Sequence, residues 1–183
     1  MVSLVGFIKL QRIKEVVIIL VTKVKLMTFI LVLGFLLISC SSIEATYIKR
    51  VENVSIKFLD YIVAGDFDKA SEYVYYFNYY TDTRLEGYSK EEAMEIWKTR
   101  VRELQKVGIY LESYHDLKIR IDDGYPKGRV TLTIVNGKEK VSCDASVYLI
   151  LQNGWEVAGL NFSEEDGSTL EQLSKAFSGR LNQ

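Results

Sequence analysis

From Leu117 to Phe162 the apolar residues fall on every second position, and this alternation limits the chain's fold more than any other feature. Leu117, Ile119 and Ile121 alternate with Lys118 and Arg120, and Val130, Leu132 and Ile134 alternate with Thr131 and Thr133. Successive side chains of a strand point to opposite faces, so these runs predict strands buried on one side only. A turn at Asp122-Asp123-Gly124-Tyr125-Pro126 and tight turns at Asn136-Gly137 and Asn153-Gly154 separate the runs. Such short connections join antiparallel neighbours, because a parallel crossover needs a dozen residues or more. A third strand places Val141, Cys143, Ala145, Val147, Leu149 and Leu151 on one face. In the fourth, Trp155 and Val157 share one parity while Leu160 and Phe162 share the other. A bulge at Ala158-Gly159 is predicted, since it would bring all four to one face and curl the sheet.

Before this region the period is helical. Tyr47, Ile48, Val51, Val54, Phe58, Leu59 and Ile62 recur at three- and four-residue spacing. Gly65 suits the left-handed position that ends such a helix, and Asp66 suits the cap of the next, which carries Phe67, Ala70 and Val74. Ser89 and Glu92 form a capping box for a third helix, with Ala93, Ile96, Trp97, Val101 and Leu104 inward and Gly108 at its end. A short last helix turns Leu170, Leu173, Ala176 and Phe177 inward. The expected class is α+β, with N-terminal helices in the concave face of a curved antiparallel sheet of four or more strands and a short C-terminal helix.

The first 39 residues read differently. Met27 to Ile38 is an uncharged apolar run of 12 residues behind Lys23 and Lys25. As a helix it would rise about 18 Å, short of a roughly 30 Å hydrocarbon core, which fits the apolar part of a signal peptide. A single span starting at Val16 would carry both lysines into the bilayer, at up to about 2.5–3.5 kcal/mol each. Leu37-Ile38-Ser39-Cys40 followed by Ser41-Ser42 resembles the lipobox of bacterial lipoproteins. That resemblance implies cleavage before Cys40 and lipid on its thiolate. It divides the chain into a signal peptide at 1–39, a lipidated tether at 40–46 and one domain at 47–183, with its core at 47–162. The implied location is the extracytoplasmic side of a bacterial envelope membrane.

Composition removes several classes of function. Past Cys40 the chain has 18 basic and 23 acidic side chains, a net of −5, and no basic stripe to track nucleic acid. With Cys40 lipidated, Cys143 has no partner for an internal disulfide. One histidine and one free cysteine cannot supply a clustered zinc site, and no cofactor motif is present.

Two stretches add a second resemblance. Phe58-Leu59-Asp60-Tyr61-Ile62-Val63-Ala64-Gly65-Asp66-Phe67-Asp68-Lys69-Ala70 and the closing Val147-Tyr148-Leu149-Ile150-Leu151-Gln152-Asn153-Gly154-Trp155-Glu156-Val157 resemble the nuclear transport factor two-like superfamily, the ketosteroid-isomerase or SnoaL-like fold. The resemblance implies a conical pocket, which some relatives use for isomerase or dehydratase chemistry and others for binding. Candidate pocket residues are Tyr76, from a run with five tyrosines in eight residues (Tyr73–Tyr80), together with Trp97, Trp155 and His115. His115 shares the parity of Leu117, Ile119 and Ile121 and is expected to point inward as the base of an enzyme, should there be one. Asp116, Asp122 and Asp144 have the opposite parity, so the carboxylate that relatives pair with such a base is missing. The reading is therefore a non-catalytic, membrane-anchored module that binds a small amphipathic ligand or an envelope protein. Thr131, Thr133, Ser142, Asp144, Ser146 and Tyr148 form the outer sheet face that a protein would meet.

Overall fold

The structure is a computed structural model that describes residues 23–29, 45–78, 85, 87–151, 154–162 and 169–182. Two compact units divide at Thr46 and Tyr47. In the first, residues 23–29 are helical and exposed, whereas Cys40 and the rest of the lipobox lie outside the described residues. Among the described residues no helix is long and apolar enough to cross a membrane.

The second unit is α+β. Its elements are α1 (residues 47–64 within this unit), α2 (Phe67–Ser71), α3 (Lys90–Lys106), β1 (Ile109–Asp122), β2 (Tyr125–Asn136), β3 (Glu139–Leu151), β4 (Trp155–Phe162) and α4 (Thr169–Phe177). The four strands form an open antiparallel meander in the order β1-β2-β3-β4, with the helices on its concave face. Val51, Phe58, Leu59 and Ile62 from α1 meet Trp97 and Val101 from α3 over Val130, Leu132, Ile134 and Val147 of the sheet. The core does not stop at Phe162: Leu173, Ala176, Phe177 and Leu181 are as buried as the strand residues.

The local signals act as their chemistry requires. Gly65, at φ 70°, donates to Ile62 O and Asp66 donates to Tyr61 O, the paired bonds of a Schellman ending. The Asp66 carboxylate then accepts from the Lys69 amide and caps α2. Ser89 and Glu92 make both bonds of the capping box, at 3.1 and 2.8 Å. One buried residue of α3 is a lysine. Lys98 is 8% exposed and places its ammonium on Glu95 and, at 2.9 Å, on Asp68 of α2, which Arg102 also reaches at 3.3 Å. This charged knot fixes α2 on α3.

In β4 the bulge expected at Ala158-Gly159 is present. Tyr148 pairs with Gly159 and Leu149 with Val157, leaving Ala158 as the extra residue, and Val157, Leu160 and Phe162 are all buried. Two irregular segments cover the free edge of β4. Val157 donates to Tyr73 O at 2.7 Å and accepts from the Tyr75 amide at 2.9 Å, while Gly179 donates to Ala158 O and accepts from Phe77. Leu181 in turn donates to Phe77 O. The tyrosine-rich segment thus lies as a partial strand between β4 and the C-terminal residues, and backbone groups that an edge strand leaves open are paired.

The strands depart from expectation in two places. The first hairpin turns at Asp123-Gly124 alone, so Tyr125 and the buried Pro126 belong to β2; the next turn is Gly137-Lys138, one residue later than expected. More consequentially, β1 begins at Ile109 and carries two register shifts, between Leu111 and Ser113 and between His115 and Lys118. The second shift centres on Asp116, at φ 55°.

A side chain at position 179 would collide with the neighbouring backbone, its Cβ falling 1.7 Å from Tyr75 O. Gly179→Ala is expected to cost at least about 2 kcal/mol in urea denaturation, because backbone cannot yield as a flexible side chain can. The charged knot should show in the pH dependence of stability. The hydrogen bond from Lys98 and its charge hold the Asp68 carboxyl below the usual carboxylate range. Its stabilisation is therefore complete above about pH 4 and is lost as pH falls through the lowered folded value. Asp68→Asn should lower Tm at pH 7, and the deficit should shrink in melts taken towards pH 2.5.

Candidate functional site

Two of the four residues expected to line an interior pocket are packed into the core. Trp97 on α3 and Tyr76 after α2 are both 0% exposed. The Trp97 ring lies 6.2 Å from Phe58, centroid to centroid, and its indole Nε1 has no hydrogen-bond partner among the described residues. The Tyr76 hydroxyl donates to Ser71 O at 2.8 Å, and burial pushes its phenol well above the ordinary value. A void of about 10 Å³ remains beside Ile62, Phe67, Val101, Leu111 and Leu173, at the limit for a single water. Trp155 pairs with Leu151 at the start of β4, and its side chain lies outside the described part of the structure.

His115 is not in the interior. The register shift at Asp116 reverses the parity of β1, so His115 faces away from the helices while Leu117 and Ile119 face them. Its side chain is 57% exposed, and Nδ1 lies 2.8 Å from Asp116 Oδ2. A simple alternation cannot anticipate this, because one left-handed residue inserts an extra half-period. The inward position goes instead to Tyr114, whose hydroxyl donates to Asp60 at 2.6 Å and whose phenol burial and that bond push up to about 12. Cys143 is half-buried, and burial raises its thiol, away from the thiolate that reactivity needs. Among the described residues no group of three His, Cys, Asp or Glu could hold a metal ion.

The open space lies on the outside. An outer-face groove of about 490 Å³ crosses β1, β2 and β3, lined by Lys118, Arg120, Lys127, Arg129, Asp144 and Ser146. In the strand register Lys118 sits opposite Arg129, and Arg120 opposite Lys127. Arg129 reaches Asp144 at 3.4 Å, which also accepts from Thr131 at 2.9 Å. Lys127 reaches Asp122 at 3.9 Å and lies over the Tyr148 ring at 5.3 Å. A second open cavity, of about 700 Å³, continues from Lys127 and Tyr148 past Tyr125 and Ile150 towards Asn161 and Ser178. Of the four cations, only Lys118 and Arg120 read in the sequence as wet strand positions, while Lys127 and Arg129 fall between the expected turn and the run that starts at Val130. Their juxtaposition depends on the two-residue turn at Asp123-Gly124, which sets the register.

No family model matches the chain, and no curated protein matches it. Among solved structures the chain is similar to a protein of unknown function from Mycobacterium tuberculosis, at a TM-score of 0.46 and 12% identity over 78% of this chain and 97% of that one. It is also similar to a protein from Catenulispora acidiphila, at a TM-score of 0.41 and 11% identity over 66% and 92%. Likeness at this level assigns no activity.

The contrast between inside and outside is measurable. Trp97→Ala should cost about 3–5 kcal/mol of unfolding free energy, as a large side chain removed from a packed core does. His115→Ala should stay within about 0.5 kcal/mol of the native protein, as exposed positions do. Urea titrations of the two variants check both.

Proposed function

We propose that this chain is a membrane-anchored envelope lipoprotein whose second unit is a non-catalytic binding module, and that what it binds is met on the outside of the domain. The single observation behind the second half is the complete burial of Tyr76 and Trp97. Side chains occupy the place where a small amphipathic ligand would sit in an open cone, so the version with an external partner is favoured. The isomerase or dehydratase alternative loses its base, because His115 faces solvent across the sheet from the packed interior. A cone with this α+β order is compatible with the nuclear transport factor two-like resemblance, which we retain as part of the proposal.

The tether rests on the sequence alone: a 12-residue apolar run, a small residue, then Cys40 and two serines. A thiolate is the nucleophile that accepts a diacylglyceryl group. Each buried methylene adds about 0.8 kcal/mol, so two or three acyl chains hold a domain stably where one would not. Expressed in a bacterium fed labelled palmitate, the native chain should take up label and Cys40→Ala should take up none. The mature native protein should also have the mass of residues 40–183 plus acyl groups. Equal labelling of the two proteins would end the lipoprotein reading.

A further inference from the structure

We propose that the outer groove of β1 and β2 is an anion site for a phosphate-bearing ligand, seated among Lys118, Arg120, Lys127 and Arg129. This deepens the external-binding reading by naming a ligand class, and it does not depend on the tether.

Residues directly opposite in antiparallel strands have Cβ atoms about 5 Å apart, and same-face neighbours along a strand lie about 7 Å apart. The pairs Lys118–Arg129 and Arg120–Lys127 are two residues apart along each strand. Four long cationic side chains are therefore rooted at the corners of a rectangle about 5 by 7 Å. Like charges directly opposite each other destabilise a sheet, and here two such pairs are stacked on one face. A face serving only solubility intersperses the two signs. This cluster also stands in a region whose net charge past Cys40 is −5, so average composition does not produce it.

The neighbouring carboxylates offset half of the charge. Asp122 approaches Lys127 and Asp144 approaches Arg129, whereas Lys118 and Arg120 have no carboxylate at ion-pair distance among the described residues. Two positive charges thus remain directed at a groove of about 490 Å³. That volume falls within the range of small-ligand sites. A phosphate group matches it better than a carboxylate, having more oxygens arranged tetrahedrally to accept from several donors and, as a monoester, up to twice the charge. The guanidinium forks of Arg120 and Arg129 each offer two parallel N–H groups to such oxygens, and the Ser146 hydroxyl opposite Arg129 adds a donor. Exposed Tyr125, Tyr148 and Ile150 adjoin the cations in the next cavity and would suit a ligand with an apolar portion. The phosphate could come from a lipid headgroup or from a soluble phosphate compound.

The test uses the full chain in neutral detergent micelles, isotope-labelled for amide NMR. It is titrated separately with inorganic phosphate, dihexanoylphosphatidylglycerol and dihexanoylphosphatidylcholine. Saturable shifts are expected at residues 118–120 and 127–129, weakening as salt rises. Lys118→Gln/Arg120→Gln should bind at least tenfold more weakly, with a Tm equal to or above the native value because repulsion is relieved. Saturation by inorganic phosphate supports the site with a soluble source; saturation by phosphatidylglycerol without inorganic phosphate supports it with a lipid source. No saturable shift with any probe, or equal affinity in the double variant, overturns the anion site and leaves the external-binding reading standing. Probe-induced shifts centred on Tyr76 and Trp97 overturn both, because the ligand would then be inside the cone.

Discussion

The domain depends on three segments meeting at the free edge of β4. Gly179 donates to Ala158 O and accepts from Phe77, while Tyr73 and Tyr75 exchange bonds with Val157. Only a residue without a Cβ fits there, since the carbonyl of Tyr75 occupies the space a side chain would need. Residues about a hundred positions apart are thereby fixed against one bulge. The bulge turns Val157, Leu160 and Phe162 to the same face, and α4 follows with Leu173 and Phe177 packed beneath. A C-terminal helix held this way is part of the core and not an appendage. The guanidinium of Arg100 adds a second hold, donating to the carbonyls of Lys175 and Arg180 and so satisfying the end of α4 from α3.

That closure decides what the interior can do. Once α4 and the tyrosine segment lie over the sheet edge, Trp97 and Tyr76 are completely buried within the core cluster. Two of the hydroxyls inside serve the backbone: that of Tyr76 donates to Ser71 O and that of Ser55 to Val51 O. Lys98 is tolerated near the core because two carboxylates reach its ammonium, and a buried charge without such partners would be costly.

How much of this was legible in the chain depended on the range of the interaction. Ser89 with Glu92, Gly65 with Asp66, and the parity break at Ala158-Gly159 are local signals, and each is realised with its expected bonds or bulge. The α+β class followed from the same local periods. Asp116 was not legible: an aspartate tolerates a left-handed conformation better than most residues but does not require it, and only the backbone and its pairing with β2 show that this one adopts it and turns His115 outward. A second irregularity hid the first half of β1, where a bulge near Glu112 breaks the alternation between Leu111 and Tyr114. Gly179 and the Lys98–Asp68 pair were hidden because their partners are remote in sequence. Trp155's side chain and Cys40 lie outside the described residues, so what was read of them stands on the sequence.

The packed interior and the charged exterior meet in a single tripeptide of β2. Lys127 and Arg129 point outward, and between them Gly128 occupies the inward position. An added Cβ there would stand 3.1 Å from both the Ile119 and the Val147 side chains, so these two close over the glycine from either side. The absent side chain at 128 thus lets the Ile119 and Val147 side chains pack over the inner face of the sheet, while the residues on either side of it, Lys127 and Arg129, line the groove on the outer face.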